Sequence, residues 1–528
     1  MNNWFNGFLK NRRETSIQLL LVGGIAITVN VLASELLLRF DLTENNRYTL
    51  SPASVEIAES LDDPVTVTAY FSQDLPPQLS QAQSEFRNFL EEFRAYSDGN
   101  MEYRFVNPGE SDQAEREAQQ AGIRPLSIQV RERDQVSQQR AYLGAVFQYG
   151  DKREVIPVIQ PGTALEYSIA STIKQLTIEQ KPKIGLLQGH GEPSRQEMNE
   201  VTNQLSQMYE LVEVSGLDTT AVPPDIEVLM VVAPEQQLSQ QELLHIDQYL
   251  MAGGRAVFAI NRVRANPQRG MATPLNTGIE RLLASYNVPV NADLVRDVNA
   301  ANIQVQQQQG GFQIVNQVQY PYIPLVNNFG DHPVSEGLET AMFQFVSSVD
   351  VSQADSSQSL TPLVLSSEQT GVAQGQFNLN PMQEWNQQIF PQAHIPLGVA
   401  VEGTFHSAFV DVDTIEVELA SSRQTSLVVF GDGDFVINGR GQQQQQRLPQ
   451  DNINLMVNAV DWLADDTGLI ELRTQGVTSR PLANLADSTK TVLKYLNTFL
   501  PIALVVGYGV YRYQRRKIRR RKWIESGV

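Results

Sequence analysis

Two apolar runs, each beside a basic end, constrain this chain more than any other feature. Residues 17–38 are mostly apolar and long enough to cross a hydrocarbon core of roughly 30 Å. Residues 493–511 repeat the pattern, with an uncharged core from Phe499 to Tyr511. Arg12 and Arg13 precede the first run, and a cluster from Arg512 to Lys522 follows the second. Basic residues stay on the cytoplasmic side of a membrane, so both ends are expected there. Everything from about Phe40 to Lys490 is then outside the cytoplasm, periplasmic in a Gram-negative cell. The plainer reading of the first run is a signal peptide cleaved near Val31-Leu32-Ala33, but the run is long for one and continues past that point.

Charge sharpens the picture. The chain of 528 residues carries −19 overall. The two ends are basic, at +2 for residues 1–16 and +7 for residues 512–528, which leaves −28 for 17–511. An acidic body has no surface for displacing counterions from nucleic acid, so nucleic-acid binding is not expected. The basic tail follows an apolar run directly and is read as membrane-flanking, in contact with lipid. No cysteine occurs, which removes disulfides, thiolate chemistry and Cys-ligated metal.

The exterior body reads as two α/β units. In the first, residues 65–72 form a strand. Phe86, Leu90 and Phe93 mark one face of a helix over 78–97. Strands are predicted at 101–106, 126–132, 140–149 and 153–159, with helices near 112–121 and over 164–178. This order suggests a thioredoxin-like α/β domain without a CxxC. The second unit begins near Lys181. It has strands at 183–187, 210–214, 226–234 and 255–260, with helices at 195–208 and 240–251. Ser239 and Glu242 form a capping box for the second helix. Alternation of this kind predicts a doubly wound, mostly parallel α/β sheet. Residues 302–321 and 353–390 are read as long loops or inserted strands. The Gln306–Gln309 and Gln442–Gln446 runs are read as mobile surface loops. Strands at 397–405 and 425–430 and a helix over 452–463 complete the unit.

The expected organisation is a basic N-terminus at 1–16, a transmembrane helix at 17–38 and the first α/β domain at 41–180. The second domain follows at 181–470. A linker at 471–492, a transmembrane helix at 493–511 and a basic tail at 512–528 close the chain.

Two motifs follow buried strands. Gly189-His190-Gly191-Glu192 brings a histidine and a carboxylate to a strand end, where open α/β sheets bind ligands. Asp432 and Asp434, in Gly431-Asp432-Gly433-Asp434-Phe435, supply oxygens of the kind that hold divalent cations. The plainer readings are a glycine turn with a satisfied histidine and an Asp-stabilised turn. Asp461-Trp462-Leu463 reads as packing and capping. His245, His332, His394 and His406 show no zinc-type spacing, and no metal or cofactor is expected. No P-loop occurs, so the chain has no nucleotide site of its own and any energy comes from a partner.

Together these pieces resemble the GldG-like family, the auxiliary components of ABC transport systems first associated with gliding motility. The resemblance covers almost the whole chain. It rests on Asp41-Leu42-Thr43, Arg47-Tyr48-Thr49-Leu50-Ser51, Asp74-Leu75-Pro76, Glu166-Tyr167, residues 189–192, Tyr249 with Gly253-Gly254, His332-Pro333, residues 431–435 and Asn458–Leu463. It implies a non-enzymatic exterior subunit that works with a membrane permease and a cytoplasmic ATPase. It also implies similarity of the second domain to one found in intraflagellar transport proteins. No catalytic residues carry over. A periplasmic hydrolase using His190 and Glu192 with Asp432 or Asp434 is the second expectation, and an envelope scaffold or glycan-binding protein the third.

Overall fold

The structure is a computed structural model that describes residues 24, 49–73, 75–132, 135–159, 164–178, 180–309, 312–352, 357–383, 385–410, 412, 417–441, 446–465, 468–470, 494, 507–515 and 517–518. The expected transmembrane segment 17–38 lies outside them apart from Gly24, as does most of 493–511. Among the described residues, no helix is long and apolar enough to cross a membrane. The chain divides into two units, Met1–Gly476 and Val477–Val528. The described residues of the second unit are helical, and the Arg515 guanidinium lies 5.7 Å from the Tyr511 ring centroid.

The first unit opens with α1 (Pro52–Glu59), where Ser51 accepts from the Ser54 N–H as N-cap. Strand β1 (Val65–Phe71) leads through α2 (Pro77–Tyr96) to β2 (Met101–Val106). Phe86, Leu90 and Phe93 are all fully buried, as their helical spacing predicts. After α3 (Asp112–Gln120) come β3 (Leu126–Glu132) and β4 (Gln135–Ala141), an antiparallel hairpin. Strands β5 (Leu143–Tyr149) and β6 (Lys152–Ile156) and helix α4 (Leu165–Thr177) follow. The single strand expected at 140–149 is thus two, because Tyr142 leaves one ladder before Leu143 enters another. The sheet order is β2-β1-β5-β6, with β1 parallel to β2 and antiparallel to β5. Its core joins α1, α2 and α4, and it also takes in Leu469 from the far end of the body.

Beyond it lie β7 (Lys183–Leu187), α5 (Asn199–Met208), β8 (Glu210–Val214) and β9 (Ile226–Val232). Helix α5 begins later than the expected 195, since residues 194–198 form a turn anchored by Glu197 on the Ser194 N–H. Next come α6 (Gln240–Met251), with both halves of the capping box from Ser239 and Glu242 in place, and β10 (Arg255–Ala259). The hairpin β11 (Val263–Asn266) and β12 (Met271–Pro274), helix α7 (Ile279–Ser285) and β13 (Asp293–Asp297) follow. Strands β14 (Ala300–Gln309), β15 (Phe312–Val326), β16 (Asn328–Phe329) and β17 (Ala341–Met342) come next. The chain then runs through β18 (Gln358–Leu365), β19 (Thr370–Gln374), β20 (Pro396–Gly403), β21 (Thr425–Phe430) and α8 (Gln450–Ala464).

The central sheet has eight strands, ordered β16-β18-β20-β21-β10-β9-β7-β8. From β8 to β21 the pairings are parallel. The other flank, β20, β18 and β16, is antiparallel. Strand β9 is buried on both sides. Val228, Met230 and Val232 face a layer containing α5 and α8, while Leu229 and Val231 face α6 and α7. Such a strand shows no alternation in sequence. The Gln306–Gln309 run, expected as a loop, lies in β14 instead. Cross-strand pairing with β15 supplies the backbone partners that its composition does not advertise. Of the Gln442–Gln446 run, only Gln446 lies among the described residues.

Candidate functional site

Strands β7, β9, β10 and β21 are parallel, so the loops after their carboxyl ends gather at one edge. The chain turns to opposite sides of the sheet after β7 and β9, which opens the edge between them. Residues 189–192 leave β7 at this point. Gly189 and Gly191 hold φ values of 124° and 84°, a region that favours glycine. The Glu192 carboxylate folds back to accept the His190 N–H at 2.6 Å. The His190 carbonyl accepts two backbone N–H groups from the loop after β9, Glu235 and Gln236, both at 2.8 Å.

The imidazole of His190 lies between two carboxylates. Its Nε2 is 3.0 Å from Glu242 Oε1, on the first turn of α6. Its Nδ1 faces Glu192 Oε1 at 3.4 Å. That Nδ1 and that Oε1 are buried and neither has a hydrogen-bond partner. Burial alone would raise Glu242, but hydrogen bonds from Ser239 and the nearby His190 outweigh it and hold its carboxyl below the ordinary range. Glu242 therefore serves at once as the capping-box acid and as the partner of His190.

The Asp432 carboxylate is fully buried. It accepts the Gln344 N–H and the Asp434 N–H, each at 2.7 Å. Burial and the nearby Asp434 carboxylate push its pKa well above the usual range. Asp434 points outward, with its side chain 42% exposed. It accepts from Asn261 at 3.0 Å, and the same Asn261 accepts the Gly433 N–H. Among the described residues, no group of three or more His, Asp or Glu is arranged to hold a metal ion.

The two motifs meet through a residue that sequence reading missed. Arg440 donates to the Gly191 carbonyl at 3.1 Å and to Glu235 at 2.7 Å through Nη1. Its Nη2 reaches Asp434 at 3.4 Å. The same segment is stapled further back. Glu197 accepts the Gly441 N–H at 2.7 Å, and Glu200 accepts from Asn438 and from the Leu448 N–H. No signal in the sequence marks Arg440, because its partners come from three separate strand-end loops.

The other histidines stay apart from this edge's hydrogen bonds. His245 Nδ1 lies 2.6 Å from the Leu217 carbonyl. His332 is buried with its ring 4.8 Å from that of Trp462. His394 Nδ1 lies 2.9 Å from Asn328. Asp461 accepts from the Tyr209 hydroxyl at 3.0 Å.

A mixed sheet with helices on both faces and a cross-linked polar cluster at its parallel strand ends defines an α/β protein of the open-sheet kind. Comparison with known proteins places it further. Residues 181–463 match the family described as "ABC-type uncharacterized transport system", and the chain belongs to that family. Membership associates it with an ABC transport system. Residues 44–148 match a domain of unknown function, DUF7088. An uncharacterized protein of Borreliella burgdorferi is 22% identical over 532 residues, covering 96% of this chain and 99% of that protein. Among solved structures, the mmIFT52 N-terminal domain aligns with a TM-score of 0.32 and 13% identity, covering 53% of this chain and 97% of that one. A putative ThuA-like protein from Parabacteroides merdae aligns at 0.27 and 11%, covering 58% of this chain and 95% of that one.

Proposed function

We propose that this protein is a non-enzymatic, membrane-anchored auxiliary subunit of the GldG-like type. The runs at 17–38 and 493–511 serve as its anchors, and both basic ends lie in the cytoplasm. Residues 41–180 form a thioredoxin-like domain and residues 181–470 a doubly wound one, both outside the inner membrane. The body binds substrate or an envelope component there, and the protein couples to a permease and a cytoplasmic ATPase.

One observation carries the reading. The strand-end groups are spent on one another through Arg440, rather than left free for acid–base chemistry. Asp432 is buried on backbone amides, and His190 is only 9% exposed. A general base must reach its substrate's proton. What the edge offers outward is a fixed set of charges, Glu235 and Asp434 at 43% and 42% side-chain exposure. Gly189, His190, Gly191, Glu192 and Asp432 hold that set in place for a ligand or partner.

The test is purification of the intact protein from its native membrane in mild detergent. An ATPase and a permease in stoichiometric amounts are the expected companions, and their reproducible absence would sink the reading. A second reading, a hydrolase using His190 and Glu192 with Asp432 or Asp434, draws on His190 Nδ1 and Glu192 Oε1, buried and facing each other at 3.4 Å without a hydrogen bond. It requires a hydrolytic activity of the purified protein that His190→Gln abolishes while the fold is kept.

A further inference from the structure

The β14–β15 ribbon is built unlike the rest of the molecule. From Val298 to Gly330 the chain has no Asp, Glu, Lys, Arg or His, although the whole protein carries −19. Strand β14 pairs with β15 on one side and with no other strand among the described residues. Ile303 leans on the small core formed around Tyr320 and Tyr322. The opposite face, with Asn302, Gln304, Gln306, Gln317 and Gln319, is exposed, and Val315 there is 53% exposed.

Proteins guard open sheet edges with charge, proline or shortness. The edges of the two larger sheets obey this. Strand β2 carries Glu102 and Arg104, β6 carries Lys152, Arg153 and Glu154, and β8 carries Glu210 and Glu213. Strand β16 has two residues. Strand β15 carries Pro321 and Pro324 in its second half. Strand β14, ten residues long, has no such guard. Strand β17 joins β15 only at Leu325 and Val326, so along most of β14 the sheet is two strands wide, an arrangement that gains from a further strand.

We propose that β14 is an interface strand through which two copies of this chain pair antiparallel, forming a β15-β14-β14-β15 sheet. Two bodies of like charge repel, and an uncharged ribbon is where their approach costs least. A two-fold axis normal to the ribbon keeps the exposed amide face of one copy level with that of the other. It also closes the assembly, because the same strand serves on both sides. Glutamine and asparagine side chains on facing strands then pair amide to amide.

The lack of native cysteine makes the test clean. Single cysteines are placed in the full-length chain at Asn302, Gln304 or Gln306, and for comparison at Val315 or Gln317, and oxidised in the native membrane. Facing positions on paired strands fall within disulfide reach, whereas the two β15 strands would be about 14 Å apart. The expected result is a disulfide-linked homodimer from at least one β14 variant, roughly tenfold more than from either β15 variant. Light scattering of the detergent-purified chain should show twice the protomer mass, halved by Gln304→Lys and unchanged by Gln317→Lys. Equal cross-linking from both strands, an adduct with a different protein, or a wild-type monomer at all concentrations would each overturn the proposal.

Discussion

Gly254 lies against the ring of Tyr249, so close that the ring fills the space where a Cβ would stand. The Tyr249 hydroxyl passes under the turn to donate to the carbonyl of Arg255 at 3.1 Å. It also lies 3.2 Å from the Glu227 carbonyl on β9. The ring therefore ties the end of α6 to two adjacent strands. Gly254→Ala must push it out and break this tie, at a cost of about 2 kcal/mol. Thermal unfolding of the two proteins gives the difference, and equal midpoints would show that the ring has room to move.

Arg440 closes the strand-end cluster, and its loss is felt in three loops. Arg440→Met keeps the apolar stem and removes the donors to Gly191, Glu235 and Asp434. Bonds between charged partners in a partly exposed site contribute modestly, so the expected destabilisation is about 2 kcal/mol. Amide hydrogen exchange should quicken over residues 189–192, 233–236 and 431–434 together. Quickening confined to the last of these would contradict a shared clamp.

Burial lowers the His332 pKa to about 4, with Asp331 opposing the shift only in part. The ring must be neutral, since its Nδ1 accepts the Val334 N–H at 3.2 Å. A depressed histidine takes up its proton on unfolding. Its contribution is thus complete above the unfolded value near 6.5 and drains away as pH falls towards 4. The full effect is on the order of 3 kcal/mol. The wild-type protein should lose more stability than His332→Gln between pH 7 and pH 4, by denaturant titration. Parallel curves for the two would remove His332 as the cause.

Asp247 is fully buried on α6 and gathers donors from two other regions. It accepts from the Tyr286 hydroxyl at 2.8 Å, the Ser407 hydroxyl at 2.7 Å and the Ala408 N–H at 2.9 Å. Burial, with Asp247 beside it, holds the Tyr286 phenol protonated far above its ordinary range. Asp247→Ala strands all three donors and should cost about 3 kcal/mol or more. In that background Tyr286→Phe should cost much less than it does alone, and additivity of the two changes would refute the shared network.

These residues show what the sequence displays and what it hides. The Ser239–Glu242 capping box was legible because its partners lie three residues apart. The second role of Glu242, against His190, was not, because it depends on β7 and α6 meeting across the sheet. The strand-end positions of residues 189–192 and 431–434 followed from the apolar runs before them. Their link through Arg440 had no local sign. The glutamines of β14 were misread because polar amides carry no hydrophobic period, and strand pairing alone assigns them. The strand at 397–405 was legible as β20, but its antiparallel pairing with β18 and β21 was hidden for a related reason. The flank of β16, β18 and β20 is an insertion between β10 and β21, strands that are sheet neighbours but far apart in sequence.

Leu469 sits in the same core as Leu50 and Ala53. A ribosome releases the chain from its N-terminal end, and domains usually fold as they emerge. Here the sheet of the first α/β unit lacks a piece of its interior until about three hundred residues beyond α4 have been synthesised. Its completion therefore waits for the whole of the second α/β unit to be made, and truncation before Leu469 damages a sheet that lies about three hundred residues upstream of the cut.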